Sequence, residues 1–373
     1  MLEQVEYDKR TACHATAYYS NESQRMNDAS RLIADATRRL FRELGQPHSM
    51  RDVSQRARLW TALHDAGLTR AWVGEEWGGA GAALRDGFEV LRIAGEFAVS
   101  VPLAEHLLAS WLLARARIQS PDTTTVLASV NARDAMTLDT RDRLAGIAHG
   151  VPFAREAERL AILARRGDAH FVALVASSDC VIEARDNIAG EPCDRVTLRE
   201  ARPLELRPTD LTTDSLLQMG AAARAMQIAG ALQGMLTLTV NYANERVAFE
   251  KPIGKFQAIQ HALARLASET AAVVAAATSA ADAIDSAVGF DEATFLEVAS
   301  AKVRAGEAVG VATAIAHQTH GAIGFTEEHV LQRYTRRLWA WRDDFGAESE
   351  WAWRLGQWAS NIGVGLWPAL AAR

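Results

Sequence analysis

The sequence predicts a mainly α-helical protein with a small β domain: an N-terminal helical domain, a middle β domain and a C-terminal four-helix bundle. Three observations carry that expectation. Apolar residues recur at three- and four-residue spacing in the first third, short β-rich runs broken by turn residues fill the middle, and long alanine-rich segments follow to the end. Helices, then a β insert, then an antiparallel bundle is an uncommon order, and it narrows the candidate architectures.

Residues 1 to about 20 show no helical period and read as a tail. The N-terminal domain is placed at 21–120. From Asp28 onward Leu32, Ile33, Ala36, Leu40 and Leu44 repeat with a helical period until Gly45 and Pro47 break it. Helical runs follow at Val53 to Ala66 and Leu84 to Phe97, and the clustered glycines between them, within residues 67 to 81, demand a loop. The β domain is placed at 121–205, with strands expected at Phe171 to Val175, Val181 to Glu183 and Arg195 to Leu198. The bundle is placed at 206–373. Its long helices are expected at Ser215 to Glu245, Phe256 to Ala287 and Ala293 to His317, with a last one from Ser349 to Trp358 before Pro368. In the second of these, Phe256, Ile259, Leu263, Leu266, Thr270 and Val273 share one stripe, the pattern of a bundle helix.

Composition excludes several functions. The net charge of −6 and pI near 6.0, without a run of Lys and Arg, leave no electrostatic footprint for nucleic acid. Cys13, Cys180 and Cys193 are odd in number and form no CxxC pair, so neither a disulfide framework nor a metal site is expected, and a reducing cytoplasm fits. No apolar stretch approaches the ~18 residues of a membrane span, and the charged start has no signal-peptide core, so a soluble, unprocessed protein is expected.

Three local sequences carry a family likeness. Leu59-Trp60 through Leu63 to Ala66-Gly67-Leu68, followed by Glu75-Glu76-Trp77-Gly78-Gly79-Ala80-Gly81, is the first, with Gly74 where a proline is usual. Arg246-Val247-Ala248-Phe249-Glu250-Lys251-Pro252-Ile253-Gly254-Lys255-Phe256-Gln257-Ala258-Ile259-Gln260 is the second, and Gln318-Thr319-His320-Gly321-Ala322-Ile323-Gly324-Phe325 the third. In this order the chain from Arg31 onward resembles the acyl-CoA dehydrogenase superfamily, in the divergent bacterial form similar to heteromeric sterol side-chain dehydrogenase subunits. The resemblance implies FAD, an acyl-CoA substrate, a homo- or hetero-oligomer built as a dimer of dimers, and electron-transferring flavoprotein as acceptor. It assigns Arg246, Phe249, Ile253, Phe256, Gln257, Gln318, Gly321 and Gly324 to the cofactor. The physics suits that assignment, because a guanidinium offers a fork of donors to a pyrophosphate and glycines let backbone approach a bulky ligand. Taken singly, Arg246 reads equally as a cation at a helix C-terminus and Gly321 to Gly324 as a cap and turn.

The chain departs from the family where the chemistry is done. Acyl-CoA dehydrogenation needs a carboxylate to take the α proton. At the family's Y-E-G position the chain reads Asp344-Phe345-Gly346, and at the alternative position on the first bundle helix the count lands on Gly220, flanked by Met219 and Ala221. Neither holds a base, so the catalytic residue is unassigned, with Asp344 the nearest carboxylate. Glu348 and Glu350 are expected to be solvated charges at a helix N-terminus, and His320 and His329 packing residues. The family's T-E-P-x-x-G-S-D and W-I-[ST] strings are missing from 126–163, and Glu250 and Ala322 stand where glycines are usual. Three readings follow: the base-poor partner of a heteromeric dehydrogenase; a self-sufficient flavoenzyme, either a homotetramer using Asp344 or an unassigned carboxylate or a flavin monooxygenase that needs no such base; and a non-catalytic helical scaffold. Trp339, Trp341, Trp351 and Trp353 are expected in core and interface rather than in an acyl pocket.

Overall fold

The computed structural model describes residues 29–45, 53–79, 81–128, 134–287 and 289–365. The expected tail, Pro47 and Pro368 lie outside the described residues. Four helices come first: α1 (29–44), α2 (Val53–Asp65), α3 (Leu84–Glu96) and α4 (Leu103–Arg115). On α1 the buried positions are Ala34, Thr37 and Phe41, whose ring stacks 5.8 Å from Phe97, while Leu32 is 70% exposed. The α1 period is therefore as read, with the buried face rotated away from Leu32.

α4 carries no amphipathic signal because it is buried on every side, from Leu103 through Leu113. Its polar residues Glu105, His106 and Ser110 are sealed in with it. Burial pushes the His106 imidazole down to about 4. The unfolded chain binds this proton below its ordinary value of 6.5 and the folded chain does not, so stability is lost as pH falls from about 6.5 towards 4, by about 3 kcal/mol in all. Urea midpoints measured at pH 7 and pH 4.5 should show that loss, and His106→Gln should lose this part of the pH dependence.

The strands are β1 (Thr125–Leu127), β2 (Met136–Leu138), β3 (Leu144–Pro152), β4 (Arg159–Arg166), β5 (Ala169–Ala176), β6 (Val181–Glu183), β7 (Cys193–Ala201) and β8 (Glu205–Thr209). They form one sheet in the order β6-β7-β3-β2-β4-β5-β8, with β1 paired parallel to β4. Alternate side chains such as Leu160, Ile162 and Ala164 fill a core of their own with Val196 and Leu198 of β7. The pairing of β3 with β7 is irregular between Ala148 and Val151. A bulge of this kind bends a strand and re-aims its side chains, and it falls where β3 meets the cavity described below.

The bundle consists of α5 (Thr213–Glu245), α6 (Gln257–Ser286), α7 (Glu292–His320), α8 (Leu331–Asp343) and α9 (Glu348–Ile362). Thr212 caps α5 by accepting from the Ser215 amide at 3.1 Å, and Asp291 caps α7 by accepting from Thr294 at 2.8 Å. α5, α6 and α7 pack on one another, α9 lies on α7, and α3 packs along α5. The α3–α5 approach is so close that a Cβ on Gly230 would run into the Arg92 carbonyl. One apolar core consequently runs from the N-terminal helices into the bundle.

The stripe read on α6 is buried only from Leu266 onward, through Thr270 and Val273; Phe256, Ile259 and Leu263 are half-buried. Trp341 and Trp351 are core residues, Trp339 is half-buried and Trp353 is 63% exposed. Among the described residues no helix is long and apolar enough to cross a membrane, and no group of His, Cys, Asp and Glu could hold a metal ion.

Candidate functional site

A cavity of about 780 Å³ opens between the sheet and the bundle. The bulged end of β3 supplies His149, Gly150 and Pro152, β7 supplies Cys193, α5 supplies Leu217 and Arg224, and the α8–α9 turn supplies Asp343 to Ala347. Both positions at which the sequence was searched for a base meet here. Gly220, on α5, lies directly under the Phe345 ring, and a Cβ at 220 would sit inside that ring. Phe345 is 4% exposed with a backbone φ of 56°, so the turn is wound tightly to bring the phenyl group down. No ionisable group is present at either point.

The nearest carboxylate is already engaged. Arg224, with 3% of its side chain exposed, donates from Nε to Asp344 at 2.9 Å, from Nη2 to Glu105 of α4 at 2.5 Å and from Nη1 to Gln227 at 2.5 Å. Burial works against its charge, and the Glu105 and Asp344 carboxylates more than offset that, raising its pKa. Asp344 is thus built into a charge network that clamps the α8–α9 turn to α5 and α4. Lys302 of α7 supports the same turn: it is fully buried and its Nζ donates to the Arg342 carbonyl at 2.5 Å. Burial lowers its pKa to about 8.

Glu348 is not the solvated charge expected from sequence. It is paired with Arg342, whose Nε lies 2.9 Å from Oε2, and that hydrogen bond holds its carboxyl below the usual range. Glu350 is exposed as expected. Burial pushes the Cys193 thiol up to about 11, with Asp344 adding to the effect, so the cavity holds no thiolate nucleophile.

The residues assigned to a cofactor lie away from this cavity, at the far end of the bundle. Tyr242, one turn before Arg246, stacks 4.3 Å from His320 and donates to its carbonyl at 3.2 Å, which brings the end of α5 beside the end of α7. His320 and His329 are packing residues as read, with rings 4.8 Å apart. Arg246, Phe249, Gln257, Gln318 and Gly321 are exposed, and Ile253 and Phe256 are half-buried. Gly321 has φ 66° and open space where a Cβ would be, which suits close approach of a ligand. Gly324 is different: it is buried, and a Cβ there would press on Leu331 and His320 at 2.9 and 3.0 Å, so packing within the chain accounts for it.

A profile described as the C-terminal domain of acyl-CoA dehydrogenase matches residues 211–342. Over 284 residues the chain is 30% identical to the acyl-CoA dehydrogenase IpdE2 of Mycobacterium tuberculosis, covering 75% of this chain and 79% of that protein. The chain belongs to the acyl-CoA dehydrogenase family. Solved structures agree on the fold. The ChsE4-ChsE5 complex from Mycobacterium tuberculosis superposes with a TM-score of 0.82 at 21% identity, over 90% of this chain and 98% of that one. The Tcur3481-Tcur3483 steroid ACAD gives 0.79 at 22% identity, over 90% and 99%.

In the floor of the cavity Gly220 and the Phe345 ring stand face to face, and the adjoining Asp344 is paired with Arg224. Sequence counting identified Gly220 and Phe345 separately; their contact, and Arg224 and Glu105 beside them, emerge only in three dimensions.

Fit to FAD was tested at the outer face. Arg246 forms no ion pair within the described residues, Gln318 and the Gly321 backbone are accessible, and all three fit a dinucleotide reaching the chain from outside. Glu250, four residues on from Arg246 and exposed, does not fit, because its carboxylate adds negative charge beside a pyrophosphate.

Proposed function

We propose that this chain is the base-lacking subunit of an FAD-dependent acyl-CoA dehydrogenase made of unlike chains. The observation that carries the reading is the Gly220–Phe345 contact, which leaves no carboxylate at either position from which the family takes an α proton. FAD, when bound, supplies the hydride acceptor for α,β-dehydrogenation of an acyl-CoA thioester. This chain's part is to present Arg246, Phe249, Gln318 and Gly321 to a shared cofactor site, and its Arg224–Glu105–Asp344 network engages the carboxylate that adjoins Phe345. The names of similar structures support the two-chain reading, since one is a ChsE4-ChsE5 complex and another a Tcur3481-Tcur3483 steroid ACAD. On this reading the acyl group is sterol-derived or similarly bulky, the acceptor is electron-transferring flavoprotein and the enzyme is cytoplasmic. Co-expression with an acyl-CoA dehydrogenase homologue encoded beside it, followed by native mass spectrometry, tests the assembly. A mixed oligomer carrying fewer FAD molecules than chains is the expected result. A homotetramer with one FAD in each chain would overturn it.

A further inference from the structure

After α5 the chain forms a small hairpin. β9 (Val247–Ala248) pairs antiparallel with β10 (Lys251–Pro252), Ala248 facing Lys251 and Val247 facing Pro252, and Ile253 donates to the Arg246 carbonyl at 2.8 Å to close its base. Phe249 and Glu250 are left as a two-residue turn with φ of 51° and 64°. Positive φ at both central positions is the turn type that Asn-Gly and Gly-Gly favour, and a bulky side chain in either place is strained. Packing does not ask for the strain: Phe249 is 89% exposed, and Glu250 is exposed too. Strain kept at an exposed tip points to a role outside the chain's own stability.

The charges at the base and the tip of the hairpin lack partners among the described residues. Neither Arg246 nor Glu250 forms an ion pair within the described residues. Lys251, the adjacent cation, lies 4.5 Å over the Phe256 ring. A pyrophosphate arriving at this hairpin meets the attraction of Arg246 and Lys251 and the repulsion of Glu250 together.

We propose that Glu250 is the specificity-determining residue of this hairpin, opposing a dinucleotide pyrophosphate so that the chain alone holds FAD weakly. The proposal rests on the reading that the Arg246 hairpin meets FAD, and deepens it.

The test is an equilibrium titration of FAD into the full-length chain, read by flavin fluorescence, for the wild type, Glu250→Gln and Glu250→Gln with Arg246→Gln. Glu250→Gln removes the charge and keeps a side chain at the strained position. It is expected to bind FAD about tenfold more tightly than the wild type at low salt, the gain shrinking at high salt. The double variant is expected to lose that gain. An affinity unchanged by Glu250→Gln, with Arg246→Gln still weakening binding, would overturn the role of Glu250 and leave the cofactor reading standing. An affinity indifferent to Arg246→Gln, or no FAD binding by any of the three, would overturn both.

Discussion

Arg224→Met is expected to destabilise the chain by about 3–5 kcal/mol, the cost of leaving a buried charge without its partner. The guanidinium is the hub of a network drawn from three places in the sequence: Glu105 lies 119 residues away and Asp344 lies 120 residues away on the other side. Methionine fills the space of the aliphatic stem, so the loss is chiefly electrostatic. Glu105 has 6% of its side chain exposed and would be left facing an apolar group, whereas Asp344, 30% exposed, can recover water. The pair Glu105→Gln with Arg224→Met should therefore regain most of the stability, because it removes both buried charges together. Urea unfolding of the wild type and the two variants measures this. A cost under about 1 kcal/mol for Arg224→Met would mean that the ion pair is solvated and the turn free to move.

Gly220→Ala is expected to cost about 2 kcal/mol, against the sign that helix propensity predicts. Replacing glycine by alanine inside an exposed helix gains about 1 kcal/mol. At 220 the added methyl must displace the Phe345 ring, which is 4% exposed and close under Arg224, with the guanidinium carbon 5.9 Å from the ring centre. Overpacking of that kind costs about 1–3 kcal/mol, so the clash wins. Phe345→Ala alone should open a cavity and destabilise the chain as well. Combined with Gly220→Ala it should show strong favourable coupling, since the methyl then enters space the ring has left. Additive effects in the double variant would mean that the two residues do not touch, and the case for a floor without a base would fail with them.

The helices and their order were legible because most carry a period or a cap. The long helices, expected at Ser215 to Glu245, Phe256 to Ala287 and Ala293 to His317 from alanine-rich runs, were located to within a few residues. α4 was not, since a helix buried all round shows no period, and the face of α1 was misplaced at Leu32 for want of its tertiary partner Phe97. The first turns of α6 read as core although Phe256, Ile259 and Leu263 are only half-buried, because sequence does not distinguish a stripe that packs within its chain from one left for another. At the site, counting from motifs pointed to positions 220 and 345 separately, and the structure brings the two into contact. What counting could not give was anything that depends on contact across the fold: the engagement of Asp344 by Arg224, the burial of Lys302 beneath the turn, or the pairing that takes Glu348 out of solvent.

The account turns on whether this chain can remove an α proton by itself. The most direct measurement is the visible spectrum of the chain purified alone, reconstituted with excess FAD and then mixed anaerobically with a panel of acyl-CoA thioesters that includes sterol-derived ones. The flavin absorbance is predicted to stay unbleached with every thioester, and to bleach once the co-expressed partner is present. Bleaching of the flavin by an acyl-CoA in the chain alone would contradict the account, and would show that a carboxylate at some position other than 220 or 345 serves as the base.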